Sequence, residues 1–396
     1  MWKKTKIDRK INSLKYNIDK IRKKSYVVYN KRKTKEIRGE FWMKTIRIPE
    51  PGKVEIIETE MPVRKKGEAL LKLLYGGICG SDLGTYRGTF AYASYPRIPG
   101  HEFSAQIVEI DENDRGLKAG MVVTCNPYFN CGHCYPCQRG LVNCCETNET
   151  MGAQRDGAFS EYITMPIERI YEGKGLTPKQ LALIEPFCIS YHGASRANIK
   201  KGDKVLVVGA GTIGVLAAIA AKAKGGEVYM CDVAEEKLNY AYNTFGLAGK
   251  ILNDNPDTFM DKVNEITGDH HGFDVCIEAV GLPSTFQNCI DAVVVGGNVV
   301  LIGVGNRNLD FFFTMIQKKE LNIFGSRNAL KKDFLELIDL VDSGEVDLEK
   351  IVMNPTSDDP TKRSEYSMEE AAAAFEEFSK YGGTKLKVVI HFADPE

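Results

Sequence analysis

The stretch Lys204-Val205-Leu206-Val207-Val208-Gly209-Ala210-Gly211-Thr212-Ile213-Gly214 decides the fold. Five continuous, mostly β-branched residues read as a buried parallel strand, and a Gly-x-Gly-x-x-Gly turn follows at once. An Ala-rich helical run then continues to about Lys224, and a second strand, Glu227 to Cys231, ends in Asp232. This strand–turn–helix–strand order is the dinucleotide fingerprint in its required context. Gly209 permits the tight turn, and Gly211 lets a pyrophosphate approach the backbone. Gly214 lets helix and strand pack closely, while the helix start at Thr212 and Ile213 offers N–H groups and partial positive charge. A Gly-rich turn alone could be purely structural; the second strand and its acid make that reading the weaker one.

Asp232 lies 18 residues beyond Gly214, where a carboxylate accepts hydrogen bonds from an adenosine ribose. A 2′-phosphate there would meet a like charge, so NAD is expected over NADP. Further strands are expected at Phe273–Ala279 and Asn298–Gly303, with Gly281 and Gly303 at the ends where a cofactor would lie. The fold class is therefore α/β, with a doubly wound parallel sheet in the second half of the chain. Strands and turns dominate before about residue 185, and a mixed segment follows residue 325.

Cys131-x2-Cys134-x2-Cys137-x7-Cys145 gathers four thiols within fifteen residues, separated by Gly132, Pro136 and Gly140. That spacing can wrap a tetrahedral ion in a closed, structural site. An iron–sulfur cluster is the rival, but its usual bacterial run closes after three residues with Cys-Pro. Zinc is preferred. On spacing alone, Cys144 competes with Cys145 for the fourth place. A second set is dispersed. Cys79 sits in Gly77-Ile78-Cys79-Gly80-Ser81-Asp82, His101 and Glu102 follow Pro99-Gly100, and Glu185 interrupts the apolar run Ala182–Ile184. A Cys, a His and a carboxylate could form an open catalytic zinc site; a free Cys and a satisfied His are also ordinary core residues.

Length and composition agree with such a protein. The chain has 396 residues, 43% apolar and 27% charged, enough for about two domains and unlike a disordered or collagenous chain. No apolar run approaches the roughly 20 residues of a membrane helix. Clustered Cys without a secretory leader favour metal over disulfides and a cytoplasmic location. Charge is uneven: residues 1–42 carry 15 Lys and Arg against 4 Asp and Glu, and the remainder carries 37 against 49. A basic arm could bind nucleic acid or a membrane surface. The competing reading is preferred: Arg38-Gly39-Glu40 is what a purine-rich ribosome-binding sequence would encode just before a start at Met43. Residues 1–42 are then not native, and neither nucleic acid nor membrane is a partner.

Taken together these motifs resemble the zinc-containing medium-chain dehydrogenase family over about Met43 to Phe392. The resemblance implies a GroES-like, β-rich catalytic domain (43–190), an inserted Rossmann domain (191–327) and a return to the first domain (328–396). It implies one catalytic zinc on Cys79, His101 and Glu185, with Glu102 as an alternative or exchanging ligand, and one structural zinc whose fourth ligand is Cys145. Lys237 matches a position that contacts the adenosine ribose. Ser81 is expected to accept the substrate proton. Relatives commonly carry His where this chain has Gly84, so the usual end of the proton relay is missing.

Within that family the polyol and sugar-acid branch is the most similar, through Gln154–Tyr162, Ile184–Phe187 and Lys318–Phe334. The last stretch is similar to bacterial 5-dehydrogenases of six-carbon aldonates, which implies hydride transfer from a secondary alcohol of a sugar acid or polyol to NAD. Sorbitol-type and, more distantly, threonine-type dehydrogenases are the alternatives. A carboxylate substrate would want a guanidinium, and Arg327 and Arg155 are the candidates. The partner is a small molecule, and the chain is expected to form a homodimer or homotetramer.

Overall fold

A computed structural model describes residues 42–396. The basic arm and its reading lie outside the described residues. Expected strand periodicities become two large sheets, with two further two-stranded pairings, Trp42–Arg47 with Glu55–Glu60 and Tyr128–Phe129 with Glu149–Thr150. The first large sheet is antiparallel in its main path and is built around the long β1 (Glu68–Ile78), which pairs with β2 (Glu102–Glu109). β3 (Val122–Cys125) and β5 (Ile170–Glu172) extend the sheet beyond β2, while β4 (Tyr162–Pro166) pairs along β1. Inward-facing Leu71, Leu73, Phe103, Ala105 and Val123 build its core.

The second sheet has six parallel strands: β6 (Lys204–Val208), β7 (Glu227–Asp232), β8 (Gly249–Leu252), β9 (Phe273–Glu278), β10 (Val293–Leu301) and β11 (Asn322–Gly325). Their order, β8-β7-β6-β9-β10-β11, reverses between β6 and β9, where an open α/β sheet forms its binding crevice. Two helices govern the connections to the site: α1 (Gly80–Arg87) follows β1, and α2 (Ile184–Arg196) leads toward β6. Helix α3 (Thr212–Ala223) follows the Gly turn and buries Val215 to Ala221 almost completely, as its small, apolar composition requires.

Helix α4 (Lys331–Asp342) buries Phe334, Leu337, Ile338 and Val341, one stripe at helical spacing. That stripe joins a core that contains Val205 and Val207 of the parallel sheet and Tyr171 of β5, whose ring lies 5.1 Å from that of Phe334. The chain rejoins the first sheet only at β12 (Glu365–Ser367) and β13 (Val388–His391). β13 runs antiparallel to β1, with Val388 opposite Ile78. No helix among the described residues is long and apolar enough to cross a membrane.

Candidate active site

The β1–β2 register creates the first constellation. Gly77 lies opposite Glu102, so the chain leaving β1 at Cys79 and the chain entering β2 at His101 meet side by side. Asp82 fixes the meeting: one carboxylate oxygen accepts from the Cys79 amide at 2.9 Å and the other from the Gly100 amide at 3.1 Å. Asp82 is buried, which pushes its pKa up, while those two amides favour its charge. Ligand atoms of Cys79, His101 and Glu102 lie within 4.8 Å of one another. His101 Nδ1 is buried without a protein partner. A soft thiol, an imidazole with a buried nitrogen left without a partner among the described residues, and a carboxylate gathered this closely fit a bound zinc ion.

Glu102 is also held from behind. Lys387 Nζ donates to Glu102 Oε2, and at 3.2 Å to the Ile78 carbonyl. Both side chains of the pair are almost fully buried. Burial disfavours the ammonium, but Glu102 and Cys79 outweigh it and raise the lysine pKa. Glu185 stands outside the three-residue set, at the start of α2, where its Oε1 accepts from the Tyr128 hydroxyl. Burial pushes Glu185 up to about 7, with His101 opposing and Glu102 adding. Ser81 is half-buried on α1, and its hydroxyl has no hydrogen-bond partner among the described residues. At Gly84 a Cβ would sit 3.1 Å from Phe90 Cβ, so a side chain there would need Phe90 to move by a few tenths of an ångström.

Four sulfurs, those of Cys131, Cys134, Cys137 and Cys145, form the second cluster, again within 4.8 Å of one another. The geometry selects Cys145; Cys144 is not in the set. Amides of Cys131 and Cys134 donate to Cys145 Sγ and Cys131 Sγ, each at 3.3 Å. N–H groups aimed at sulfur stabilise thiolates, and the His133 and Cys134 amides lower Cys131 to about 6. Four sulfur donors so arranged fit a closed zinc site.

At the parallel sheet the glycines are sterically enforced. A Cβ on Gly214 would lie 1.7 Å from the Gly209 carbonyl oxygen, and one on Gly209 (φ 111°) would lie 2.6 Å from Val280. Gly281 and Gly303 are crowded in the same way: a Cβ on Gly303 would meet the Gly281 nitrogen at 2.2 Å, and one on Gly281 the Val304 carbonyl carbon at 2.5 Å. Around Gly211 the space is open, as a phosphate cradle at a helix N-terminus requires. Asp232 closes the turn, accepting from the Ala210 amide and, at 2.7 Å, from the Ala234 amide. Lys237 lies close enough to Asp232 for its charge to matter, although burial pulls the lysine down. The Thr212 hydroxyl is used within the protein, donating to the Leu386 carbonyl, and the Ile213 carbonyl accepts from Ser190 at 2.8 Å.

The two arginines differ. Arg155 stacks on Phe129, 3.8 Å from the ring centre, and lies 3.7 Å from Glu149. Arg327, just past the carboxyl end of β11, is exposed, and its guanidinium makes no hydrogen bond or ion pair among the described residues. Sequence reasoning missed Asp82, Tyr128 and Lys387. Asp82 carried a signal, an acid three residues after a helix N-cap; the other two become visible only through contacts across long chain separations.

Two family models match, the alcohol dehydrogenase GroES-like domain over residues 65–174 and the zinc-binding dehydrogenase domain over 212–343. L-galactonate-5-dehydrogenase of Escherichia coli K12 is 36% identical over 289 residues, 73% of this chain and 84% of that protein. Sorbitol dehydrogenase of Halalkalibacterium halodurans is 31% identical, over 76% of this chain and 88% of that one. An alcohol dehydrogenase from Escherichia coli CFT073, crystallised with NADH, superposes with a TM-score of 0.78 at 29% identity, covering 89% of this chain and all of the other. With a metal-fitting four-cysteine cluster, a Cys–His–Glu set and a nucleotide-binding sheet, this chain belongs to the zinc-binding alcohol dehydrogenase family, oxidoreductases acting on CH–OH groups.

Proposed function

We propose that the chain oxidises a secondary hydroxyl of a six-carbon sugar acid with NAD, the neutral polyols being the second choice. The observation that carries the zinc-and-NAD part of this reading is one pair of consecutive residues: the Leu386 carbonyl receives Thr212 of the Gly turn, and Lys387 reaches Glu102 of the Cys79–His101 set. Nucleotide cradle and metal-fitting cluster are thereby tied together. The sugar acid is supported by the similarity to L-galactonate-5-dehydrogenase and by the uncommitted Arg327 guanidinium. Cys79, His101 and a carboxylate, Glu102 or Glu185, would hold the catalytic zinc, and Cys131, Cys134, Cys137 and Cys145 the structural one. When bound, zinc acts as a Lewis acid that brings a hydroxyl pKa from about 16 toward about 7, and NAD accepts the hydride.

The chain's own residues do the rest. Ser81, beside Cys79 with its hydroxyl uncommitted, takes the substrate proton and passes it to solvent, because Gly84 supplies no imidazole. Asp82 keeps the Cys79 and Gly100 loops in register. Gly209, Gly211 and Gly214, with the α3 amides of Thr212 and Ile213, receive the pyrophosphate; Gly281 and Gly303 leave room at the neighbouring strand ends. Asp232 and Lys237 meet the adenosine ribose, and the Asp232 charge disfavours a 2′-phosphate. Arg327 grips the substrate carboxylate, while Arg155, occupied by Phe129 and Glu149, does not. Exposed Val304, Phe312 and Phe313, near the sheet's β11 edge, support a homo-oligomer.

The test is NAD reduction by zinc-loaded protein with L-galactonate, L-gulonate and L-idonate beside sorbitol, xylitol and L-threonine, repeated with Arg327→Ala. Turnover confined to aldonates, with Arg327→Ala hurting them selectively, is expected. Equal losses on aldonate and polyol would remove the carboxylate clamp, and turnover of polyols alone would move the substrate to the sorbitol class.

A further inference from the structure

Between the four-cysteine lobe, α2 and the start of α4 lies a buried polar network that the proposed reaction does not use. Its members are Asn143, two residues before Cys145, His192 on α2 and Asp333 on α4, all nearly fully buried. Asn143 Nδ2 donates to the Arg327 carbonyl at 2.8 Å and faces His192 Nε2 at 3.3 Å. His192 Nδ1 lies 3.0 Å from Asp333 Oδ2, which also accepts the Leu330 amide at 2.7 Å. The bond is returned one residue later: Asn328 Nδ2 donates to the Asn143 carbonyl at 3.1 Å. Asn328 adopts φ 47°, a left-handed conformation that asparagine tolerates better than most residues.

Chemistry fixes the proton positions. The Arg327 carbonyl is only an acceptor, so the Asn143 amide must present its NH2 group there; reversal would set two oxygens against each other. The second amide hydrogen then points at His192 Nε2, which must be an unprotonated acceptor, leaving Nδ1–H to donate to Asp333. Each member therefore has one orientation, and together they clamp the Arg327–Asn328 backbone to the cysteine lobe. The Arg327 side chain has no partner of its own among the described residues, so its pose depends on that backbone.

We propose that Asn143, backed by His192 and Asp333, is a positioning residue through which the cysteine lobe sets the pose of Arg327 and hence affinity for a carboxylate substrate. This rests on the reading of Arg327 as the carboxylate clamp, and the experiment separates the two. Asn143→Ala removes the donor. Asn328→Gly, which accepts φ 47° without strain, loosens the same clamp from the other side and leaves the lobe untouched. In both, hydrogen exchange of the amides across residues 326–330 should quicken. KM for L-galactonate should rise about three- to tenfold, the worth of one buried hydrogen bond, with kcat and the KM for sorbitol unchanged. Adding Asn143→Ala to Arg327→Ala should cost nothing further.

Unchanged exchange in Asn328→Gly overturns the proposal whatever Arg327 binds. So does a further KM loss from Asn143→Ala in the Arg327→Ala background, which is the signature of a merely structural role. If Arg327→Ala harms aldonate and polyol equally, the clamp reading fails, and the substrate half of the proposal falls with it. Faster exchange would then leave Asn143 as the anchor of the segment alone.

Discussion

Replacing Lys387 with Met should destabilise the protein sharply, and the geometry says by how much. The ammonium sits between the Glu102 carboxylate and the Ile78 carbonyl, 3.2 Å away, in a pair whose side chains are 3% and 1% exposed. Methionine fills most of the lysine volume, so the change removes charge and donors with little cavity. What remains is an uncompensated buried carboxylate, and breaking such a pair from one side costs about 3–5 kcal/mol. Removing the charge on both sides, in Lys387→Met with Glu102→Gln, should recover at least half of that loss. Urea unfolding followed by circular dichroism at constant m-value reads the difference for the four proteins, each with and without zinc. The single variant should lose more without zinc than with it, because a cation between Cys79 and His101 partly replaces the ammonium beside Glu102. A cost under about 1 kcal/mol for Lys387→Met, or a double variant as weak as the two singles added, would refute the argument; the lysine would then matter only through its packed methylenes.

Other outcomes follow from separate parts of the structure. Asp232→Ser should raise the ratio of NADP to NAD kcat/KM by at least about fivefold, since one carboxylate near a phosphate is worth about 1–4 kcal/mol per charge pair; an unchanged ratio removes Asp232 from cofactor choice. Cys145→Ser should cost one zinc per chain by metal analysis, whereas Cys144→Ser should keep both; the reverse result would reassign the fourth ligand. Glu370 is lowered to about 2, first by the Arg363 fork at 2.8 Å and then by the Ser367 amide. A depressed carboxyl contributes stability that is present above its unfolded pKa of about 4.3 and lost as pH falls toward 2. For a partly exposed pair that is about 1 kcal/mol after solvent screening. Glu370→Gln should therefore flatten the acid limb of a pH–stability curve between about 4.5 and 2, and a parallel limb would discard the pair as a contributor.

Much of the fold was legible because its signals are local. The β6–Gly turn–α3–β7 unit is one continuous pattern, and the expected strand at 204–208 is the one observed. The cysteine lobe was equally readable from spacing, except that Cys144 and Cys145 are adjacent and only three-dimensional closure separates them. Cys79 and His101 were different. Their motifs are short and far apart, and what unites them is the β1–β2 register, so resemblance did the work that periodicity could not. Lys387 was hidden for the same reason in stronger form. In Lys385-Leu386-Lys387-Val388 it reads as an alternating surface charge, yet it pairs with a residue 285 positions away. Helix α4, expected in the returning segment, touches both sides: its Phe334 ring lies 5.1 Å from that of Tyr171 on β5 of the first sheet, and the same stripe shares a core with Val205 and Val207.

The return of the chain to its first sheet has a mechanical consequence. Hydride transfer is efficient only when donor and acceptor atoms are held about 3–3.5 Å apart, and small displacements are costly. The nucleotide cradle and the Cys79–His101 set are built on different sheets, so something must fix their separation. Leu386 and Lys387 are adjacent residues entering β13, whose Val388 pairs with Ile78, the residue before Cys79. Thr212 holds the first and Glu102 the second. A strand cannot stretch between neighbouring residues, because consecutive Cα atoms are held about 3.8 Å apart. The Gly turn and the Cys79–His101 set are thus both anchored to one pair of adjacent residues, which gives a late segment with no ligand of its own a place in holding them together.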